Sequence, residues 1–268
     1  MKTLAFLIVS LCLNTGAALG HEFWISPEKY VVDPGQPIVA ALRSGQKFSG
    51  GPFSYLPPRF VRFELIRGEL VIPVEGRIGD RPALNMAVPE AGLWVVVHET
   101  TDSSLTWDEW ERFEGFVTHK DLDDTLALHA ARGLPRTGFK ESYRRFAKSL
   151  VAVGGGQGAD REVGLRTELV ALTNPYADDL SDGFRVQLFF EGAPRPRAQV
   201  EVFDKDDNGA VTVMKYRTDD AGVASIPVEK GHEYLVDAVK MLPLDASDPT
   251  LEPVWMSLWA SLTFRVPE

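Results

Sequence analysis

The chain has 268 residues, 44% of them hydrophobic and 25% charged, with a formal net charge of −10. That composition is globular rather than disordered or fibrous, and the length allows one large domain or two moderate ones. The acidic balance argues against nucleic acid and anionic membrane as partners, because a surface of that sign repels phosphate.

Lys2 precedes an apolar run from Leu4 to Leu13, and the small-residue stretch Gly16-Ala17-Ala18-Leu19-Gly20 follows. A basic start, a short apolar core and small residues before a cut predict a signal peptide over 1–20. The apolar core is too short to span a bilayer comfortably, and no other stretch approaches ~18 apolar residues. A periplasmic or secreted protein without direct membrane insertion is therefore expected. The single cysteine, Cys12, lies inside the expected signal. The mature chain then has none, which rules out thiolate catalysis, zinc–cysteine sites and redox dithiols, and leaves the fold to its apolar core.

Over 21–104, short runs rich in β-branched and aromatic residues alternate with turn residues. The runs are Ile38–Leu42, Phe60–Ile66, Glu69–Val74 and Leu93–Val97, separated by Pro34-Gly35, Gly50-Gly51, Gly79-Asp80 and Glu90-Ala91-Gly92. Strands at that spacing predict a β-sandwich. Over 105–152 the period changes. Trp107, Trp110 and Phe113 recur every three residues, and Phe116 and Val117 continue the stripe. Thr118 and Asp121 have the spacing of a capping box, with Asp in place of the usual Glu. Leu122, Leu126 and His129 keep a helical face until Gly133 and Pro135. Tyr143, Phe146 and Ala147 predict a third helix over Phe139–Lys148, so the region reads as a helical insert. The glycine-rich stretch from Val153 to Asp160 predicts a linker over 153–163. Strands resume over 164–268, at Gly164–Leu172, Phe184–Phe190, Gln199–Phe203, Val211–Tyr216, Ala224–Val228, Tyr234–Met241 and Trp255–Val266. They predict a second β-sandwich, and the fold class is mainly β.

A cut after Gly20 makes His21 the mature N-terminus. An N-terminal histidine offers its α-amine and its imidazole Nδ1 to one metal ion, and an amine pKa of about 8 keeps proton competition mild. One further imidazole completes a three-nitrogen histidine brace, a donor set that suits Cu(II) or Ni(II). A cut after Ala18 leaves Leu19-Gly20 in front and removes the chelate. Four histidines are available as the partner. His98 ends the Leu93–Val97 strand, where a side chain reaches a sandwich rim, and Glu99 beside it is a ligand or an acceptor for the imidazole. His119 follows Thr118 at the expected helix start, where capping or packing is the ordinary role. His129 stands ten residues later, about 15 Å along a continuous helix, and cannot share an ion with His119. His232 occupies a Gly-His turn.

Other patterns carry less. Asp204–Gly209 opens like a calcium loop, but its twelfth position is Lys215 rather than a bidentate glutamate. The segment reads instead as a hairpin turn around Asn208-Gly209. Trp107/Trp110 and Trp255/Trp259 have the spacing of a sugar-stacking face, and more ordinarily of a core. No HExxH, GxSxG or phosphate-binding glycine loop is present.

Four stretches taken together resemble one family: His21-Glu22-Phe23-Trp24, Glu141-Ser142-Tyr143-Arg144-Arg145-Phe146-Ala147-Lys148-Ser149-Leu150-Val151, Leu172-Thr173-Asn174-Pro175-Tyr176 and Ser257-Leu258-Trp259-Ala260-Ser261-Leu262-Thr263-Phe264. The chain is similar over essentially its whole mature length to a large family of exported bacterial proteins of unassigned function. Some relatives are periplasmic accessory components of nickel or cobalt uptake. The resemblance implies an Ig-like N-terminal sandwich, a helical insert and a C-terminal module similar to transthyretin or carboxypeptidase-regulatory domains. It also implies His21 as the mature terminus, and it matches His98-Glu99-Thr100-Thr101 and His119-Lys120-Asp121. Many relatives carry a histidine where this chain has Lys240 before Met241.

These readings converge on a periplasmic protein that binds a transition metal ion, Cu or Ni/Co, through His21, His98 and His119, in metal capture or uptake. The partners expected are the metal ion and a membrane metal transporter. Two rival functions are a non-metal binding or adhesion module and a copper oxidase of the histidine-brace type.

Overall fold

The computed structural model describes residues 22–122 and 124–268. The expected signal peptide and His21 lie outside the described residues. In chain order the strands are β1 (Glu22–Pro27), β2 (Val31–Val32), β3 (Pro37–Gln46), β4 (Ser49–Phe53), β5 (Phe60–Arg67), β6 (Leu70–Pro73), β7 (Leu84–Ala87), β8 (Gly92–Thr100) and β9 (Ser103–Trp107). The helices α1 (Trp110–Lys120) and α2 (Thr125–Ala131) follow. The remaining strands are β10 (Phe139–Val153), β11 (Thr167–Ala171), β12 (Phe184–Phe190), β13 (Ala193–Pro194), β14 (Gln199–Lys205), β15 (Val211–Arg217), β16 (Val223–Ile226), β17 (Glu233–Pro243) and β18 (Pro253–Arg265). The chain is mainly β.

A ten-stranded sheet runs through both halves of the sequence. Its order is β15-β14-β17-β18-β10-β8-β5-β6, with β2 and β9 also paired to β10. The join is β10, which runs antiparallel to β8 and parallel to β18. Side chains alternate across a strand, and here each face has its own cover. Leu93, Val95, Val97, Leu150, Val200, Val202, Tyr234, Leu258 and Leu262 point to one face and pack beneath β11, β12 and β16. Trp94, Val96, Ala147 and Val151 point to the other, where the sheet of β1, β3, β4 and β7 packs through Ile25, Ile38, Leu42 and Leu84. The helices share that second face further along. Phe113, Phe116 and Val117 of α1 bury against Trp107, Trp255 and Trp259.

Three expectations are corrected. Phe139–Lys148 is strand, not helix, and belongs to the fifteen-residue β10. Both its faces are covered, so the period-2 signature is absent and the 3–4 spacing of Tyr143, Phe146 and Ala147 is incidental. The helical part of 105–152 is therefore α1 and α2 alone among the described residues. Thr118 does not open a helix: α1 runs through it and stops at Asp121, whose φ of 53° is left-handed. The glycine run after β10 is a fixed turn. Gln157 O accepts the Leu93 amide at 2.9 Å, and Asn174 Nδ2 donates to Gly156 O and Gly158 O at 2.8 and 2.9 Å.

Candidate metal-capture cleft

A cleft of about 650 Å³ opens between α1, β14 and the β3–β4 hairpin. Its polar floor begins with Glu22, the first residue of β1. Strand alternation turns Glu22 and Trp24 away from Phe23 and Ile25, which enter the core under β3 and β8. Trp24 packs with Phe48, Phe203 and Leu235. Glu22 thereby faces the same side as Glu201 of β14 and Asp237 of β17, a register neighbour of Glu201 across the β14–β17 pair.

The three carboxylates present oxygens within 4.8 Å of one another. Lys120, in the last turn of α1, places its ammonium among them. Nζ lies 3.0 Å from Glu22 Oε1, 2.5 Å from Glu201 Oε2 and 2.9 Å from Asp237 Oδ2. The ring of Trp259 is 5.2 Å from the same nitrogen. Burial alone would push the ammonium down, but the charges of Asp237, Glu22 and Glu201 outweigh it and hold Lys120 above its ordinary pKa. Burial pushes Asp237 up to about 7, against the pull of Lys120 and with the push of Glu22. Glu201, despite its burial, is held below its ordinary value by Lys120 and His119. Asp237 Oδ1 is buried and makes no hydrogen bond among the described residues. Lys120 thus stands where a cation would sit in the triad, and the Arg145 guanidinium adds a second positive charge that acts on Asp237 and Glu22.

His119 stands at the mouth. Its side chain is 54% exposed, while Nε2 lies 2.8 Å from Oε1 of the buried Glu201. An ionised carboxylate only accepts, so Nε2 carries a proton in this contact, and Nδ1 is the ring nitrogen not engaged by Glu201. This is the arrangement by which a carboxylate fixes the tautomer of a metal-binding histidine. The backbone is held as well, since His119 O accepts from Gln199 Nε2 at 2.8 Å and from Lys215 Nζ at 2.6 Å.

The walls are different in kind. Phe116, Phe203 and Val213 supply carbon, and Gly115 lies between Glu111 and His119 at helical spacing on the cleft side of α1. A Cβ on Gly115 would meet nothing within 4 Å. A glycine in a helix interior costs about 1 kcal/mol relative to alanine. The β3–β4 turn closes the remaining side. Both Lys47 and Phe48 adopt left-handed backbone, with φ of 50° and 58°. Bulky residues rarely do so, and the burial of Phe48 edge-on against Trp24, centroids 5.5 Å apart, holds the turn. Lys47 is left over the cleft.

The other sequence candidates lie elsewhere. His98 does not reach a rim. It is 3% exposed and packs among Phe23, Phe60 and Phe63, with centroids 5.3, 5.4 and 5.0 Å away. Burial lowers its pKa to about 3, and Nδ1 has no hydrogen bond among the described residues. The ring therefore stays neutral and lies outside the cleft lining. Glu99 pairs with Arg144 at 3.1 Å. His129 is in α2, not on a helix shared with His119, and both its nitrogens are used: Trp255 Nε1 donates to Nδ1, and Nε2 donates to Pro135 O, each at 3.0 Å. His232 pairs with Asp204 at 2.7 Å. Asp206 Oδ1 accepts the amides of Asn208 and Ala210, so Asp204–Gly209 is a hairpin turn. Trp107, Trp255 and Trp259 are core residues.

The floor residues Lys120, Glu201 and Asp237 were not singled out from the sequence. The available signal was a charge inside an apolar strand: Glu201 stands between Val200 and Val202, and Asp237 between Val236 and Ala238.

The chain belongs to the family described as Domain of unknown function (DUF4198), whose model matches residues 18–241. No curated protein matches it. Among solved structures, the chain is similar to a tetra-tandem repeat in the extending region of a large adhesion protein, at 10% identity and a TM-score of 0.23, with 92% of this chain and 50% of that chain covered. The chain thus spans half the length of that protein. It is also similar to the D0-D1 domain of intimin, at 12% identity and a TM-score of 0.23, with 90% of this chain and 97% of that chain covered.

Proposed function

We propose that this protein is an exported, periplasmic metal-capture protein that takes a Cu or Ni/Co ion at the α1–β14 cleft and serves metal uptake through a membrane transporter. Signal cleavage after Gly20 frees His21, whose amine and imidazole chelate the ion, and His119 Nδ1 supplies the third nitrogen. The carrying observation is the bond from His119 Nε2 to the buried Glu201 carboxylate at the mouth of the cleft that Glu22 lines. In the sequence His21 directly precedes Glu22, which lines the cleft. Glu201 orients the His119 ring, and Lys120 keeps Glu201 ionised and in place. His98, enclosed by phenyl rings, is assigned to the core in this reading. A transthyretin-like character for 164–268 is part of the same proposal.

The test is calorimetric titration with Cu(II) and Ni(II) of three forms: the chain beginning at His21, the same chain with one alanine ahead of His21, and His119→Ala. The expected result is at least a tenfold loss of affinity in both altered forms. Equal affinity across the three overturns the assignment.

A further inference from the structure

The ten-stranded sheet ends in two unlike edges. β6 is four residues long and finishes at Pro73, a short edge blunted by proline. β15 runs seven residues in unbroken register with β14, and its other side meets no strand among the described residues. The ladder fixes which groups are open. The Asp206 amide donates to Ala210 O and the Thr218 amide to Ala198 O, each at 3.0 Å. Antiparallel bonds alternate from one residue pair to the next. Thr212, Met214 and Tyr216 therefore direct their amides and carbonyls to β14, while Val211, Val213, Lys215 and Arg217 turn theirs outward. Lysine and arginine on an edge ordinarily obstruct pairing. Here both are drawn back onto the end of α1: Lys215 Nζ donates to His119 O and Arg217 Nη2 to Asp121 Oδ2, each at 2.6 Å.

The two faces of β15 border different surroundings. On one, Val213 joins Phe116 and Phe203 in the carbon wall of the α1 cleft. On the other, Thr212 and Met214 line a hollow of about 340 Å³ with Asp204, Asp206, Glu229 and His232. No lysine or arginine lines that hollow among the described residues. Even a protonated His232, 2.7 Å from Asp204, balances only one of its three carboxylates. We propose that β15 is a docking edge for an extended segment of another protein, one whose side chains alternate apolar and basic. This goes beyond metal capture and does not rest on it. The segment adds as the next strand, through the outward groups of Val211, Val213 and Lys215. Side chains of an added strand alternate between the faces as those of β15 do. Its apolar residues lie beside Val213 toward Phe203. Its basic residues lie beside Thr212 and Met214 toward Asp206 and Glu229. Main-chain bonds hold the segment, and the unlike faces select its alternation.

The test uses the chain beginning at His21, kept metal-free with EDTA, and three fluorescein-labelled peptides. They are Val-Lys-Val-Lys-Val-Lys-Val, its glutamate counterpart Val-Glu-Val-Glu-Val-Glu-Val, and the block peptide Val-Val-Val-Val-Lys-Lys-Lys. Fluorescence anisotropy reads affinity, and amide hydrogen exchange by NMR reads strand addition. The alternating lysine peptide should bind at least tenfold more tightly than either control. The amides of Val213 and Lys215 should exchange at least tenfold more slowly once it is added, whereas those of Thr212 and Met214 are slow throughout. Val213→Pro removes an outward amide without breaking a bond to β14 and should weaken binding at least tenfold. Glu229→Lys changes a side chain that is 76% exposed, leaves the fold intact, and should weaken the lysine peptide at least threefold. Equal affinity for the three peptides, no binding, or binding that leaves the Val213 and Lys215 amides unprotected overturns the proposal. A dimer by light scattering, with those amides protected before any peptide is added, assigns the edge to a second copy and overturns it as well.

Discussion

Glu141 lies in the interior, 1% exposed, on β10. Trp107 Nε1 donates to its Oε2 at 2.8 Å and the Ser257 hydroxyl to its Oε1, while Trp259 Nε1 donates to that hydroxyl at 2.9 Å. Burial pushes the carboxyl up from 4.5 to about 7, and the hydrogen bonds from Ser257 and Trp107 only partly offset this. The folded state therefore holds a proton that the unfolded chain releases above about pH 4.5. The resulting penalty is absent below pH 4.5, grows between 4.5 and 7, and is constant above. Its full size is about 3 kcal/mol, taking 1.36 kcal/mol for each pH interval of one. Glu141→Gln reproduces the protonated shape and removes the titration. The variant should match the wild type at pH 4 and exceed it at pH 8 by about 3 kcal/mol. For a chain of this size that is roughly 6–10 °C of melting temperature. Urea unfolding of both forms at pH 4, 6 and 8 measures the difference, and groups common to both cancel. Parallel curves with no growth of the gap would refute the reasoning.

His98→Phe tests the opposite sign. The wild-type imidazole is neutral in the fold, with its pKa lowered from 6.5 to about 3, so its contribution is present above pH 6.5 and is lost as pH falls toward 3. The variant should gain on the wild type as pH drops, read as the acid midpoint by circular dichroism; an unchanged midpoint rejects the buried neutral ring. Lys120→Met leaves three buried carboxylates without their ammonium and should cost about 3–5 kcal/mol in urea unfolding at pH 7. The loss should shrink at pH 5 as the carboxyls protonate, and a loss independent of pH tells against the cluster. Phe48→Ala should free the β3–β4 turn and cost about 3–5 kcal/mol in urea unfolding; an unchanged unfolding midpoint would show that packing on Trp24 does not hold the turn.

Much of the architecture was legible because its signals are local. The runs at Phe184–Phe190 and Tyr234–Met241 are short, apolar and bounded by turn residues, and they are strands β12 and β17. The stripe Phe113, Phe116, Val117 faces the core of α1 as its spacing requires. β10 was misread because its neighbours decide it. Glu141 and Lys148 look like the polar face of a helix, yet both are buried and paired by distant residues, Lys148 with Asp160 at 2.8 Å and Glu168 at 2.9 Å. No window of local sequence contains those partners. The cleft was half legible: His119 was named, but its meaning depends on Glu201, eighty-two residues away. His98 was named on strand-end position alone, and position along a strand does not reveal that Phe23 and Phe60 close over it.

The separation of the floor residues makes the cleft a reporter of the whole fold. Glu22 comes from one end of the chain, Lys120 from the helix beside the central strands, and Glu201 and Asp237 from the far half of the ten-stranded sheet. None is near another in sequence, and one ammonium ties three of the segments. The unfolded chain cannot assemble that floor, so an ion held there binds the native state alone. It must then raise the unfolding free energy by RT ln(1 + [L]/Kd), about 2.7 kcal/mol at a hundredfold excess over Kd. A brace confined to His21 and one flexible neighbour would bind the unfolded chain nearly as well and shift the melt little. The size of the metal-induced shift therefore separates capture in the cleft from chelation by a free N-terminus. A Cu(II)-saturated melt within a degree of the metal-free one would place the ion outside the cleft.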